Sequence, residues 1–241
     1  MSWKDIFYST EKFEWYGFEY FSALITLTVL GSFLVRLGMR SDDLKKERIF
    51  KGISYVLSSV IIVWAIIESS LGRFYFETDL PLIFCNFFAL ILPVFTFSRT
   101  QRMFNLLYYI VLAGAIQAII TPGLKFNFPH YEFLKFWTVH VGLILFVIYQ
   151  MVVYKLRPTL KGIWQTFLFI QIYMVTIIGV NWVLDANYLY LNVKPEHGTL
   201  LALLGGWPWY IVWMDIILIP YFFILYAPIW IISKIKKHPN N

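Results

Sequence analysis

The chain of 241 residues contains one cysteine, Cys85, so neither an intrachain disulfide nor a CxxC metal or redox pair can form. Charge is scarce too: Asp, Glu, Lys and Arg supply 14% of the chain, against roughly 25% in globular proteins. There is no glycine loop of the kind that cradles phosphate, which argues against a nucleotide-driven pump. No internal repeat or low-complexity stretch stands out, and no polar segment is long enough for a separate soluble domain. What fills the chain is apolar: 59% by residue, against a norm of roughly 45–50%. Such a chain cannot cover itself with polar surface, which excludes a water-soluble monomer. Aromatic residues at 20% exclude disorder.

A helix needs about 20 mostly apolar residues to cross about 30 Å of hydrocarbon. Hydropathy predicts seven such spans: 18–37, 52–71, 80–97, 103–120, 133–154, 162–184 and 208–232. The expected fold is therefore all-α, a polytopic bundle of seven transmembrane helices making one domain over 1–241. The +6 balance would suggest nucleic acid in a soluble protein, but here the charges sort by membrane side. The first-to-second link carries Arg40, Lys45, Lys46, Arg48 and Lys51, and the third-to-fourth link carries Arg99 and Arg102. Lys155, Arg157 and Lys161 lie in the fifth-to-sixth link, and Lys234, Lys236 and Lys237 follow the last span. The other side holds Lys4, Lys12, Arg73, Lys125 and Lys194, with Arg36 and Lys135 at span ends. The positive-inside rule puts the first set in the cytoplasm, hence the N-terminus outside and the C-terminus inside. Residues Met1 to Glu19 lean acidic and do not read as a cleavable signal peptide.

This orientation assigns depths to the polar residues of the spans. Glu68, Cys85, Asn86, Gln117, His140, Asn181 and Asp215 all fall in the outer half, whereas the inner half offers little besides Gln150. A carboxylate or imidazole among lipid tails costs a few kcal/mol and normally faces the bundle or a wet cavity. A shared depth predicts one polar chamber open toward the outer leaflet. Taken singly, Gln117 and Asn181 read as interhelical glue, and Glu68 and Asp215 also admit a role as hydrogen-bonded interface residues. Cys85 and His140 together make a candidate nucleophile and base, because a thiol among apolar neighbours is inert unless something accepts its proton. A carboxylate such as Glu68 or Asp215 could then fix the imidazole tautomer. His130, His197 and His238 lie in turns, loops or the tail, and no local cluster has metal-ligand spacing, so no metal and no cofactor are expected. The outer segment through Asn187, Tyr188 and Lys194 offers amide, phenol and ammonium groups that can read a headgroup. It also fits an ordinary aromatic belt.

The run Leu80-Pro81-Leu82-Ile83-Phe84-Cys85 resembles the third-span motif of the YwaF-like bacterial membrane proteins. The likeness continues through Ala113-Gly114-Ala115-Ile116-Gln117-Ala118, Thr121-Pro122, Phe128-Pro129-His130 and Phe136-Trp137-Thr138-Val139-His140-Val141-Gly142. It extends through Arg157-Pro158, Asn181-Trp182, Asn187-Tyr188, Lys194-Pro195 and Trp207-Pro208-Trp209-Tyr210, covering roughly Leu80 to Trp230. That family is similar to an animal transmembrane acyltransferase that moves an acyl chain from a diacyl phospholipid to a lysophospholipid and forms polyunsaturated ether phospholipids. A cysteine and a histidine are its proposed catalytic pair, and the match carries them onto Cys85 and His140. The chain departs from the pattern at Ile83, often histidine in bacterial relatives, at Asn86, often acidic, at Ala202 and Gly206, and at Asp215 in place of glutamate.

The resemblance implies a phospholipid transacylase in a bacterial cytoplasmic membrane. Cys85 would form a thioester, His140 would act as general base, and phospholipids and lysophospholipids would be the partners. Two alternatives stay open: a lipid-ester hydrolase using the same pair, and a small-solute transporter or receptor with Glu68 and Asp215 in an outward-facing chamber.

Overall fold

The computed structural model describes residues 3–8, 11–194 and 203–237. Pro195, His197, Ala202 and His238 lie outside these. The elements are α1 (Trp3–Tyr8), α2 (Phe18–Met39), α3 (Asp43–Ser70), α4 (Phe84–Phe97), α5 (Gln101–Ile120), α6 (Tyr131–Val152), α7 (Leu160–Leu184), a 3-10 turn at Tyr188–Tyr190, and α8 (Trp209–Lys237). Among the described residues there is no strand beyond a single antiparallel bridge between Lys12 and Phe126.

Six of the seven expected spans, α2, α3, α5, α6, α7 and α8, are long and apolar enough to cross a membrane. The third is a correction. It was expected over 80–97, but α4 has only 14 residues, about 21 Å at helical rise. Its expected first turn, Leu80–Ile83, is a non-helical strap. A second correction concerns the link expected from Arg40 to Lys51. It is almost all helix, because Asp42 caps α3 by accepting Lys45 N–H at 2.7 Å. Glu47 then gathers Lys51 at 3.4 Å and Arg99 at 2.8 Å across to the α4–α5 link.

α6 is the hub and packs on α2, α3, α4 and α5, while α8 rests at the edge on α5 and α7. α4 sits among α3, α5 and α6. Phe50 stacks on Phe146 with ring centres 4.4 Å apart, and Leu107, Leu143 and Val147 are fully buried around them. The backbones approach closely where there is no side chain. A Cβ on Gly142 of α6 would collide with Leu57 of α3, and one on Gly162 of α7 with Asn105 of α5. The outward faces carry large apolar side chains such as Trp182, Val175 and Trp213. That is the pattern for a surface bathed in lipid.

The links α2–α3, α4–α5 and α6–α7 lie at one end of the bundle, which we call the basic end. The links α3–α4, α5–α6 and α7–α8 lie at the far end, and the candidate site is there.

Candidate functional site

Cys85 is the second residue of α4, so the strap before it sets its position. The strap is held by two tyrosines. Tyr188 donates its hydroxyl to Phe76 O at 2.7 Å and accepts Leu80 N–H at 2.8 Å. Tyr173 of α7 donates to Leu82 O at 2.8 Å. Tyr188 is fixed in turn by Asn181, whose amide donates to Tyr188 O at 3.0 Å and accepts Tyr188 N–H at 2.8 Å. Each bond satisfies a buried polar group that would otherwise be costly. Asn181 and Tyr188, expected to line a chamber or read a headgroup, thus brace the segment leading to Cys85. The thiol is buried, with Sγ 3.5 Å from where a Cβ on Gly114 of α5 would stand.

His140 projects from α6, which packs on α4. Its Nδ1 lies 2.7 Å from Phe136 O, and its ring lies 4.2 Å from the Phe136 ring, centre to centre. A carbonyl oxygen only accepts, so Nδ1 carries the proton and Nε2 is left with a free lone pair. Gly114, which Cys85 faces, stands six residues before the end of α5, about 9 Å in. His140 stands nine residues after the start of α6, about 14 Å in. Counted from the far-end termini of α5 and α6, the thiol and the imidazole thus sit within about one helical turn of each other in depth, on two packed helices. Among the described residues no hydrogen bond joins them.

Charge gathers on the far-end side of His140. The Lys135 ammonium, five residues earlier on α6, bears on His140 electrostatically and is itself within reach of Glu132, Asp79 and Glu68. Its Nζ stands 3.3 Å from the centre of the Trp64 ring, a cation–π contact. Glu68 has a side chain only 9% exposed and lies 3.5 Å from Arg73 Nε. The depth count identified Glu68. Arg73 was visible only as a charge of the outer side and Lys135 as a charge at a span end, and the one signal in the sequence was Lys135 five residues from His140.

His130 begins α6 by accepting Glu132 N–H on Nδ1 at 3.2 Å, a cap that works only while Nδ1 is unprotonated. Burial, and then the Arg73 guanidinium, push its pKa from 6.5 down to about 4. The unfolded chain takes up this proton near pH 6.5, the folded chain only near pH 4. The contribution is whole above pH 6.5, shrinks as the pH falls, and is gone below about 4. Melting temperature should therefore fall more steeply with acidification in the native chain than in His130→Asn, which keeps a capping group without the proton. Parallel pH profiles would refute the assignment.

The remaining residues expected at the site are dispersed. Asn86 is half-buried beside Cys85. Gln117 is exposed and donates to Thr121 of its own link at 3.0 Å. Asp215 accepts Gln171 Nε2 at 3.2 Å, tying α8 to α7. Asn187 folds its own loop, donating to Val193 O at 2.8 Å and accepting Asn192 and Val193 N–H. Lys194 donates to Gly205 O at 2.8 Å. The single chamber inferred from depth is thus several separate groups, and Cys85, His140 and the Glu68–Arg73–Lys135 cluster are the part carried by α3, the α3–α4 link, α4 and α6.

Six long apolar helices with lipid-type outer faces define an integral membrane protein built as a helical bundle. Helices α2 to α7, the strap, the site and most of α8 fall within residues 8–226, which match the TMEM164 family model; the chain belongs to the TMEM164 family. No curated protein and no solved structure matches it.

Proposed function

We propose that the protein is a membrane phospholipid transacylase working through a Cys85 thioester. The observation that carries this reading is the pairing of the chain's one thiol with an imidazole whose Nε2 is free, at nearly equal depth on packed helices. The likeness to the YwaF-like proteins and the animal acyltransferase supports it from the sequence. The excess of Lys and Arg at the basic end supports an orientation with the site toward the outer leaflet.

His140 Nε2 takes the thiol proton, and the thiolate attacks the ester carbonyl of a diacyl phospholipid. The sulfur–carbon bond forms, the ester carbon–oxygen bond breaks, and the proton passes from His140 to the departing lysophospholipid oxygen. A second lysophospholipid then gives its hydroxyl proton to His140 and attacks the thioester, and Cys85 leaves as the thiol on recovering that proton. Burial of the thioester limits hydrolysis by keeping water out. If water reaches it, the same pair gives a lipid-ester hydrolase.

The test is to incubate the purified protein with a diacyl phospholipid and measure its intact mass. The expected result is a gain of one acyl chain, released by hydroxylamine and missing in Cys85→Ala. Adding lysophospholipid should discharge the adduct into diacyl product, whereas discharge into free fatty acid would make the protein a hydrolase. No adduct, with lipid turnover unchanged in Cys85→Ala, would refute the proposal.

A further inference from the structure

We infer that Arg73 and Lys135 form the binding site for the phosphate of a lysophospholipid. This rests on the transacylase reading and adds the residues that place its acceptor. The observation is a shortage of partners. A guanidinium offers five N–H donors and an ammonium three. Among the described residues Arg73 Nε and Nη2 are buried atoms that make no hydrogen bond, although Nε is ion-paired to Glu68 at 3.5 Å and the side chain as a whole is 40% exposed. Lys135 Nζ rests on the face of Trp64. Both cations flank the Glu68 carboxylate, which feels each of them. The two buried guanidinium nitrogens left in this state call for an acceptor. A phosphate ester, with its non-bridging oxygens, is the acceptor that an Arg fork and a Lys point charge hold best.

The placement suits a lipid. Lys135 precedes His140 by five residues on α6, about 7.5 Å along the axis and about 140° around it; the axial offset is comparable to the glycerol unit that separates a phosphate from the oxygen to be acylated. Side chains on a helix lean toward its N-terminus, so the ammonium reaches further toward the headgroup region. The local charge balance selects the source of the phosphate. Glu68, Asp79 and Glu132 act on Lys135, and Glu68 pairs with Arg73, so three carboxylates beside two cations leave no positive excess with which to gather free anions. A phosphate delivered on an acyl chain does not depend on such an excess.

The test measures equilibrium binding to the purified full-length Cys85→Ala protein, so that acyl chemistry plays no part and its failure is read separately. The probes are 1-palmitoyl-lysophosphatidylcholine and 1-palmitoylglycerol, which differ by the phosphorylated headgroup. Lys135→Gln and Arg73→Gln should each weaken binding of the lysophospholipid about tenfold, the loss of one charged hydrogen bond. Binding of the glycerol lipid should stay unchanged, and Lys135→Arg should restore most of the loss. An equal loss for both lipids would mean a structural role and overturn the inference, as would no loss at all. Displacement of the lysophospholipid by inorganic phosphate alone, with the same dependence on Lys135, would assign the site to free phosphate and also overturn it.

Discussion

Replacing His140 by alanine is expected to slow acyl-adduct formation by about 10²–10⁴-fold, the range for removal of a general base. The size follows from the setting of the thiol. Cys85 is packed against the α5 backbone at Gly114, where water does not stand in as a base. His140 is pre-set for the work, because the Phe136 carbonyl holds its Nδ1 proton at 2.7 Å and leaves Nε2 to accept. The same variant should also slow alkylation of Cys85 by a small neutral haloacetamide, since the thiolate is the nucleophile there too. Single-turnover rates by intact mass check the first effect, and quenched alkylation checks the second. Rates equal to those of the native chain in both assays would remove His140 from the chemistry.

The largest expected effect on stability comes from Gly142→Val. The Cβ alone would run into Leu57, which is 2% exposed and enclosed by the core. Either α6 and α3 separate or Leu57 is forced off its rotamer, and overpacking of this kind costs typically about 1–3 kcal/mol. Separation of these helices would also disturb the Lys135–Trp64 contact, which bridges the same pair. Gly52→Ala is the control: nothing stands within 4 Å of its added Cβ, and alanine favours the helix. Melting temperature in detergent should fall clearly for Gly142→Val and hold or rise for Gly52→Ala. Equal melting of the two variants would show that the α3–α6 approach is not tight.

Hydropathy located the spans because crossing hydrocarbon demands length and apolarity whatever the tertiary fold. It erred at Leu80–Ile83 because those residues are apolar. The decision against helix there comes from Pro81 and from the hydroxyls of Tyr173 and Tyr188, about a hundred positions away. It erred at Arg40–Lys51 in the opposite sense, since charged residues read as a loop although Glu47 and its partners stabilise a helix outside the membrane. At the site, counting residues gave depth but not direction. Membrane helices are apolar on every face, so periodicity does not report which side looks inward. Gln117 has the depth of a chamber residue but is exposed, and Asn181 has it but serves the backbone of Tyr188.

The short α4 has a consequence for the membrane itself. A rod of about 21 Å set in hydrocarbon of about 30 Å leaves close to a third of the thickness unfilled beside it, and the braced strap occupies that gap at the far end. Lipids adjoining this spot must dip or the bilayer must thin, as occurs wherever a hydrophobic stretch falls short. Under the proposed function, the ester linkages of such a dimpled lipid would come down toward the level of the Cys85 sulfur with the tails still in oil.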